Sequence, residues 1–146
     1  MSCLFCDIIN KIIPAKIVAE NKGAIAFLDV NPVSDGHTLV ISKKHFKNLS
    51  ECDEESLNDV IQLTKEVANI IKNSSLKPWG FNYISNEEQI AGQVIMHFHM
   101  HVIPKYGKGE GYTNPHVVDN KFETTPTVRY VDDVAVVYKK ILKASK

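Results

Sequence analysis

No charge of one sign dominates this chain: 17 Lys and Arg residues balance 17 Asp and Glu. Without a net field to hold a polyanionic backbone or an anionic lipid surface, the composition argues against nucleic-acid polymers and membranes as partners, and any anion must be recognised at a local site. No run approaches the roughly 20 apolar residues that a membrane-spanning helix needs. Nor does the N-terminus, Met1 to Cys6, show a basic region leading into an apolar signal segment. A cytoplasmic location is the expectation. Cysteine is scarce and odd in number, at Cys3, Cys6 and Cys52, which speaks against a disulfide framework and for thiols used in metal binding or simple burial. Internal repeats and low-complexity tracts are also missing. What remains, 146 residues of which 44% are hydrophobic and 23% charged, suits one globular domain with a real core.

The pattern of apolar residues predicts a small set of elements. Phe5, Ile8, Ile9, Ile12 and Ile13 stand at helical spacing, so a short helix is expected from Leu4 to Ile13, stopped by Pro14. Ile25 to Val30 and His37 to Ile41 read as strands on either side of a wide turn carrying Asn31-Pro32 and Ser34-Asp35-Gly36. Asp53, Glu54 and Glu55 suit the positive end of a helix dipole, and the helix they open runs to about Asn73 with a core-packing stripe from Leu57 to Ile71. Phe81 to Ser85 and Ile95 to Ile103 read as two further strands, Pro104 to Thr127 as a surface loop, and Val131 to Leu142 as a final amphipathic helix.

Chemistry concentrates in Met96-His97-Phe98-His99-Met100-His101-Val102-Ile103, where polar and apolar residues alternate with a period of two. Three imidazoles thereby share one strand face, while Phe98, Met100 and Val102 anchor the other face in the core. At a rise of about 3.3 Å per residue, neighbouring histidines stand roughly 7 Å apart and the outer pair roughly 13 Å, so one ion could take two of them but not all three. A row of imidazoles suits successive groups of an extended substrate. An unperturbed imidazole is mostly neutral at pH 7 and therefore nucleophilic. A metal-dependent hydrolase using the His97/His99 pair stays open as an alternative. Cys3-Leu4-Phe5-Cys6 has a spacing that lets both sulfurs reach one ion, which needs two more ligands; a redox pair and two free thiols are the competing readings.

With these motifs quoted, the chain resembles the histidine triad (HIT) family, whose signature is His-x-His-x-His followed by two apolar residues. The likeness extends through Phe5-Cys6-Asp7-Ile8-Ile9, Ile13-Pro14-Ala15-Lys16, Ala26-Phe27-Leu28-Asp29, Pro32, Gly36-His37-Thr38-Leu39-Val40-Ile41 and Lys43-Lys44-His45, in the order of the Hint-like branch. The resemblance implies an α+β fold with a five-stranded antiparallel sheet and helices, and a homodimer with a joined sheet. It implies a single domain over 1–146, with a core at about 3–105 and a loop plus C-terminal helix over 106–146.

The same resemblance implies a nucleotide hydrolase or transferase acting at the α-phosphorus of a nucleoside phosphoramidate, acyl-nucleotide or dinucleoside polyphosphate, with a purine (AMP or GMP) moiety. His99 matches the nucleophile that forms a nucleotidyl-histidine intermediate. His101 matches a contact to the phosphate or leaving group, and Gln93 and Asn86 match residues that orient the phosphate. Asp29 matches the ribose carboxylate, and Phe5, Ile8, Ile13, Phe27 and Val30 the walls of the base pocket. His37 stands near the site in a supporting role. Val94 departs from the family, where many relatives carry Ser or Thr close to the phosphate. Bacterial relatives with an N-terminal Cys-x-x-Cys imply a structural zinc on Cys3, Cys6, His45 and His97, with no catalytic cofactor. A nucleotide-binding regulator with incidental hydrolysis is the rival from another class.

Overall fold

The computed structural model describes residues 3–106, 114–118, 121–125 and 132–145, the side chains of 114–118 and 121–125 excepted. Helix α1 (Leu4–Ile9) is followed by strands β1 (Ile17–Glu20), β2 (Ala24–Leu28) and β3 (Thr38–Ser42), then by helix α2 (Glu54–Lys72), strands β4 (Gly80–Ile84) and β5 (His99–Lys105), a separate antiparallel pair β6 (Asn114–Val118) and β7 (Lys121–Thr125), and helix α3 (Val134–Ser145). The main sheet has five antiparallel strands in the order β1-β2-β3-β5-β4, the α+β architecture expected from the sequence.

Alternation along the central strands sends side chains to two different cores. Ala24, Ala26 and Leu28 of β2, Val40 of β3 and Met100 and Val102 of β5, with the neighbouring Phe98, pack against Val60, Leu63, Val67 and Ile71 of α2 and Val137 and Ile141 of α3. Ile25, Phe27, Leu39 and Ile41 form a smaller cluster on the opposite face with Phe5 of α1. Because α1 is only six residues long, it covers part of that face. In β5, His99 and His101 pair with Ile41 and Leu39 of β3 and so share the thinly covered face. Among the described residues, no helix is long and apolar enough to cross a membrane.

Several element boundaries differ from those read in the sequence. Helix α1 ends at Ile9 because Lys11 adopts φ +61°, and the N–H groups of Ile12 and Ile13 turn back to the Asp7 carbonyl. Strand β1 carries only four residues and a register shift between Ile17 and Ala19, too short a stretch for a period to emerge. The strand expected from Ile95 begins at His99, since residues 95–97 form a bend. The expected loop from Pro104 to Thr127 instead contains the end of β5 and the β6/β7 pair; residues 107–113, 119–120 and 126–131 lie outside those described.

Gly36 closes the β2–β3 turn at φ +88°, where an added Cβ would stand 3.2 Å from Leu76 Cδ1 and 3.3 Å from Pro104 Cγ. Gly36→Ala should destabilise the protein by about 1–3 kcal/mol through left-handed strain. Chemical denaturation is the measurement, and an unchanged midpoint would contradict this account of the turn.

Candidate active site and metal centre

The three histidines share the α1 side of the sheet but diverge to three separate tasks. His97 is fully buried; its Nε2 lies 2.6 Å from the Ser42 carbonyl, which can only accept, so Nε2 carries the proton and Nδ1 keeps a lone pair. That lone pair is 3.4 Å from Cys3 Sγ, 3.6 Å from Cys6 Sγ and 3.1 Å from His45 Nδ1, while His45 Nδ1 is 3.3 Å from Cys6 Sγ. Donors around a tetrahedral zinc stand roughly 3.3–3.8 Å apart, given bonds of about 2.0–2.3 Å. Cys3, Cys6, His45 and His97 can therefore hold a metal ion, with the Ser42 carbonyl fixing the correct His97 tautomer.

His99 follows a different rule. Its Nδ1 is 2.7 Å from the His97 carbonyl and must donate, which leaves the Nε2 lone pair as the ring's reactive edge. Burial lowers the pKa of His99, favouring the neutral ring. Phe5 meets it edge-on at 5.1 Å between ring centroids, and the Ser85 hydroxyl donates to the His99 carbonyl at 2.8 Å. Ser85 carries no signal in the sequence, since a serine at a strand end is common in any turn.

The third imidazole is set by a chain of bonds. The Val33 N–H donates to His37 Nδ1 at 3.2 Å, so His37 carries its proton on Nε2 and donates to His101 Nδ1 at 2.9 Å. The proton of a neutral His101 is thereby placed on Nε2. Asp29 Oδ2 stands 3.6 Å from the same His37 Nε2. Asp29, His37 and His101 cluster closely enough to suggest a second metal site, but the proton held on His37 Nε2 opposes ligation there. Burial, with help from neighbouring imidazoles, drives the pKa values of His97 and His101 down to about 4.

A cleft of about 800 Å³ opens on this face. His99, His101, Asp29, Asn86, Val94, Phe5, Ile8, Ile13, Phe27 and Val30 all line it, so ten of the residues singled out in the sequence converge. The rings of His99 and His101 lean to 5.0 Å, closer than the roughly 7 Å expected from strand rise. Two of the residues singled out in the sequence stand off the cleft wall. Gln93, 2% exposed, does not line the cleft: its Oε1 accepts from the Glu88 N–H at 2.8 Å, and its Nε2 donates to the Lys47 and Ile95 carbonyls at 2.6 and 3.1 Å. It shapes the loop that carries Asn86, Gly92 and Val94. His37 likewise lies behind His101 and not on the cleft wall, 4% exposed. Lys16, Leu39, Ile95 and Val134 line the cleft without having been singled out; Val134 comes from α3, more than 100 residues along the chain from α1.

Comparison with known proteins agrees with this geometry. The HIT domain family model matches residues 10–108. An uncharacterised HIT-like protein of Mycoplasma genitalium is 54% identical over 113 residues, covering 76% of this chain and 79% of its own. A protein of Schizosaccharomyces pombe named adenosine 5'-monophosphoramidase is 40% identical over 116 residues, covering 77% and 84%. Among solved structures, a zinc-bound histidine triad family protein from Mycobacterium smegmatis superposes with a TM-score of 0.80 at 27% identity, covering 99% of this chain and 94% of that one.

Buried neutral imidazoles make stability depend on pH in a defined direction. Between the ordinary histidine value of 6.5 and about 4, the unfolded chain holds protons that His97 and His101 refuse in the fold, so stability falls on acidification through this window. Thermal unfolding of chelator-treated protein should show a falling Tm from pH 6.5 to 4 with an uptake of about two protons. A Tm that is flat across this range would contradict the burial of neutral rings.

Proposed function

The chain belongs to the HIT family, and on that premise we propose that it hydrolyses a purine nucleoside phosphoramidate or acyl-nucleotide through a covalent nucleotidyl-histidine. The observation that carries this reading is the 2.7 Å bond from His99 Nδ1–H to the His97 carbonyl, which leaves Nε2 as the lone pair of a ring lining the cleft. Nε2 attacks the α-phosphorus, forming a P–N bond as the bond to the leaving group breaks. His101 Nε2–H donates to the departing group or to a phosphate oxygen, and water then releases the nucleotide and restores His99. The S. pombe relative's name supports this choice of chemistry.

The rest of the cleft accommodates a nucleotide. Asp29 offers a carboxylate to the ribose hydroxyls, with Oδ1 already braced by the Asn31 N–H at 2.8 Å. Phe5, Ile8, Ile13, Phe27 and Val30 supply an apolar wall for the purine. Asn86 and the backbone near Val94 face the phosphate; valine removes a hydroxyl there but leaves an N–H. Among the described residues Lys16 is the one Lys or Arg that lines the cleft, so these residues offer little to neutralise a polyphosphate. This favours substrates with a single α-phosphate charge over dinucleoside polyphosphates.

Zinc on Cys3, Cys6, His45 and His97 would be structural, because four protein donors close the tetrahedron. A homodimer and a cytoplasmic location complete the proposal.

Mass spectrometry of protein quenched during turnover of adenosine phosphoramidate tests the reaction. An AMP adduct on His99 is expected, and His99→Ala should lower kcat by about four orders of magnitude or more. Turnover of His99→Ala at the parental rate would end the proposal. Asp29→Ala should raise KM about tenfold with a smaller change in kcat, as for loss of uniform binding; steady-state kinetics would read the split, and an unchanged KM would remove Asp29 from the ribose site.

A further inference from the structure

We infer that His97 and Phe5 are positioning residues that couple the Cys3/Cys6/His45/His97 cluster to the cleft, so that metal occupancy of the cluster sets both the tautomer of His99 and the wall of the base pocket. The inference rests on the reading of His99 as the nucleophile for its meaning in catalysis, but not for its geometry.

His97 faces both sites at once. Its side chain belongs to the cluster through Nδ1, and its backbone carbonyl receives the Nδ1–H of His99 at 2.7 Å. The sheet does little to hold that carbonyl. Pairing of β3 with β5 starts at Ile41 and His99, and His97 lies in the bend before it. The ring is what anchors the residue, through Nε2 on the Ser42 carbonyl and Nδ1 among the two sulfurs and His45. One residue further on, the Phe98 N–H donates to the Phe46 carbonyl at 2.7 Å, which ties the bend to the segment that supplies His45.

Phe5 carries the second connection. It lies between the two cysteines on α1, a helix too short to persist alone. The N-cap of that helix is Cys3 itself, whose sulfur accepts weakly from the Cys6 N–H at 3.5 Å. The Phe5 ring, 3% exposed, stands edge-on to His99 at 5.1 Å, to His97 at 5.8 Å and to Phe27 at 5.6 Å. Thiols are weak hydrogen-bonding groups, so without a shared cation the four donors add little to the bonds to Ser42 and Phe46 at the bend or to the packing of Phe5 on α1. A common ion would pull both to fixed positions. It would thereby keep the His97 carbonyl where His99 needs an acceptor and Phe5 where a base needs a wall.

Two measurements that need no turnover test this. Long-range proton–nitrogen NMR of histidine-labelled protein reads the His99 tautomer, and calorimetry reads the affinity for AMP. In zinc-loaded protein His99 should be a single Nδ1–H tautomer. After chelation, with the fold retained by circular dichroism, the tautomers should mix and AMP binding should weaken about tenfold; zinc should restore both. An identical tautomer and affinity with and without zinc would overturn the inference. Should chelation unfold the chain, zinc-loaded Phe5→Leu decides. Weaker AMP binding at full metal content, with a shifted His99 ring signal, is expected, and unchanged values would overturn it. Coupling in a protein that forms no covalent adduct would sink the proposed reaction while leaving the coupling in place.

Discussion

The structure turns on the hydrogen bond that joins the His99 ring to the main chain two residues earlier. An imidazole free to exchange tautomers presents a lone pair or a proton at either nitrogen. A carbonyl acceptor at one edge removes that choice, because it can be satisfied only by a donor. The neighbouring imidazole is settled in the same manner from the other direction: the Val33 amide fixes His37, and His37 fixes His101. One ring therefore offers electrons to the cleft and the next offers a proton. No charged residue has to touch either ring to produce this division, and desolvation keeps both neutral.

The scaffold beneath these bonds is built to resist distortion. Strand β3 is buried along its whole length, between two antiparallel neighbours and between two apolar clusters. The register that pairs Ile41 with His99 and Leu39 with His101 places both rings on the α1 side, while Phe98, Met100 and Val102 fill the α2 side. A slip of one residue would exchange these sets and bury the imidazoles under α2. The same packing that stabilises the sheet thus also specifies which face carries chemistry.

Much of this was legible in the residues themselves. The period-two run from His97 to Ile103 displayed the two faces of β5, and the stripe from Leu57 to Ile71 traced most of the buried side of α2, although Ile61 within it is exposed and Leu63 is buried instead. The acidic group at Asp53 marked the start of that helix, and the Asp53 carboxylate accepts from the Ser56 N–H as its cap. The Cys-x-x-Cys pair had no visible partners by spacing alone, since His45 and His97 lie 39 and 91 residues beyond Cys6 and are brought in by tertiary structure. For the same reason the contribution of Val134 could not be read locally. The place of Gln93 behind the loop was not legible either, since a family match names a residue but not the partners of its amide, which makes three hydrogen bonds within the protein. The extent of α1 was overestimated because apolar spacing persists through Ile12 and Ile13, while the backbone has already left the helix at Lys11.

The shortness of α1 has a consequence for how the protein is made. Its six residues are made before their partners: the apolar cluster that receives Phe5 comes with β2 and β3, but the rings that Cys3 and Phe5 meet at positions 97 and 99 follow much later, so the segment reaches its final surroundings only once the histidine strand has been synthesised. Such distant closure is paid in chain entropy, and a lone helical turn cannot wait in its final shape. The binding surface is therefore finished late, when the strand bearing the histidines joins the sheet, and a nascent chain has no ligand-competent form before its core is complete.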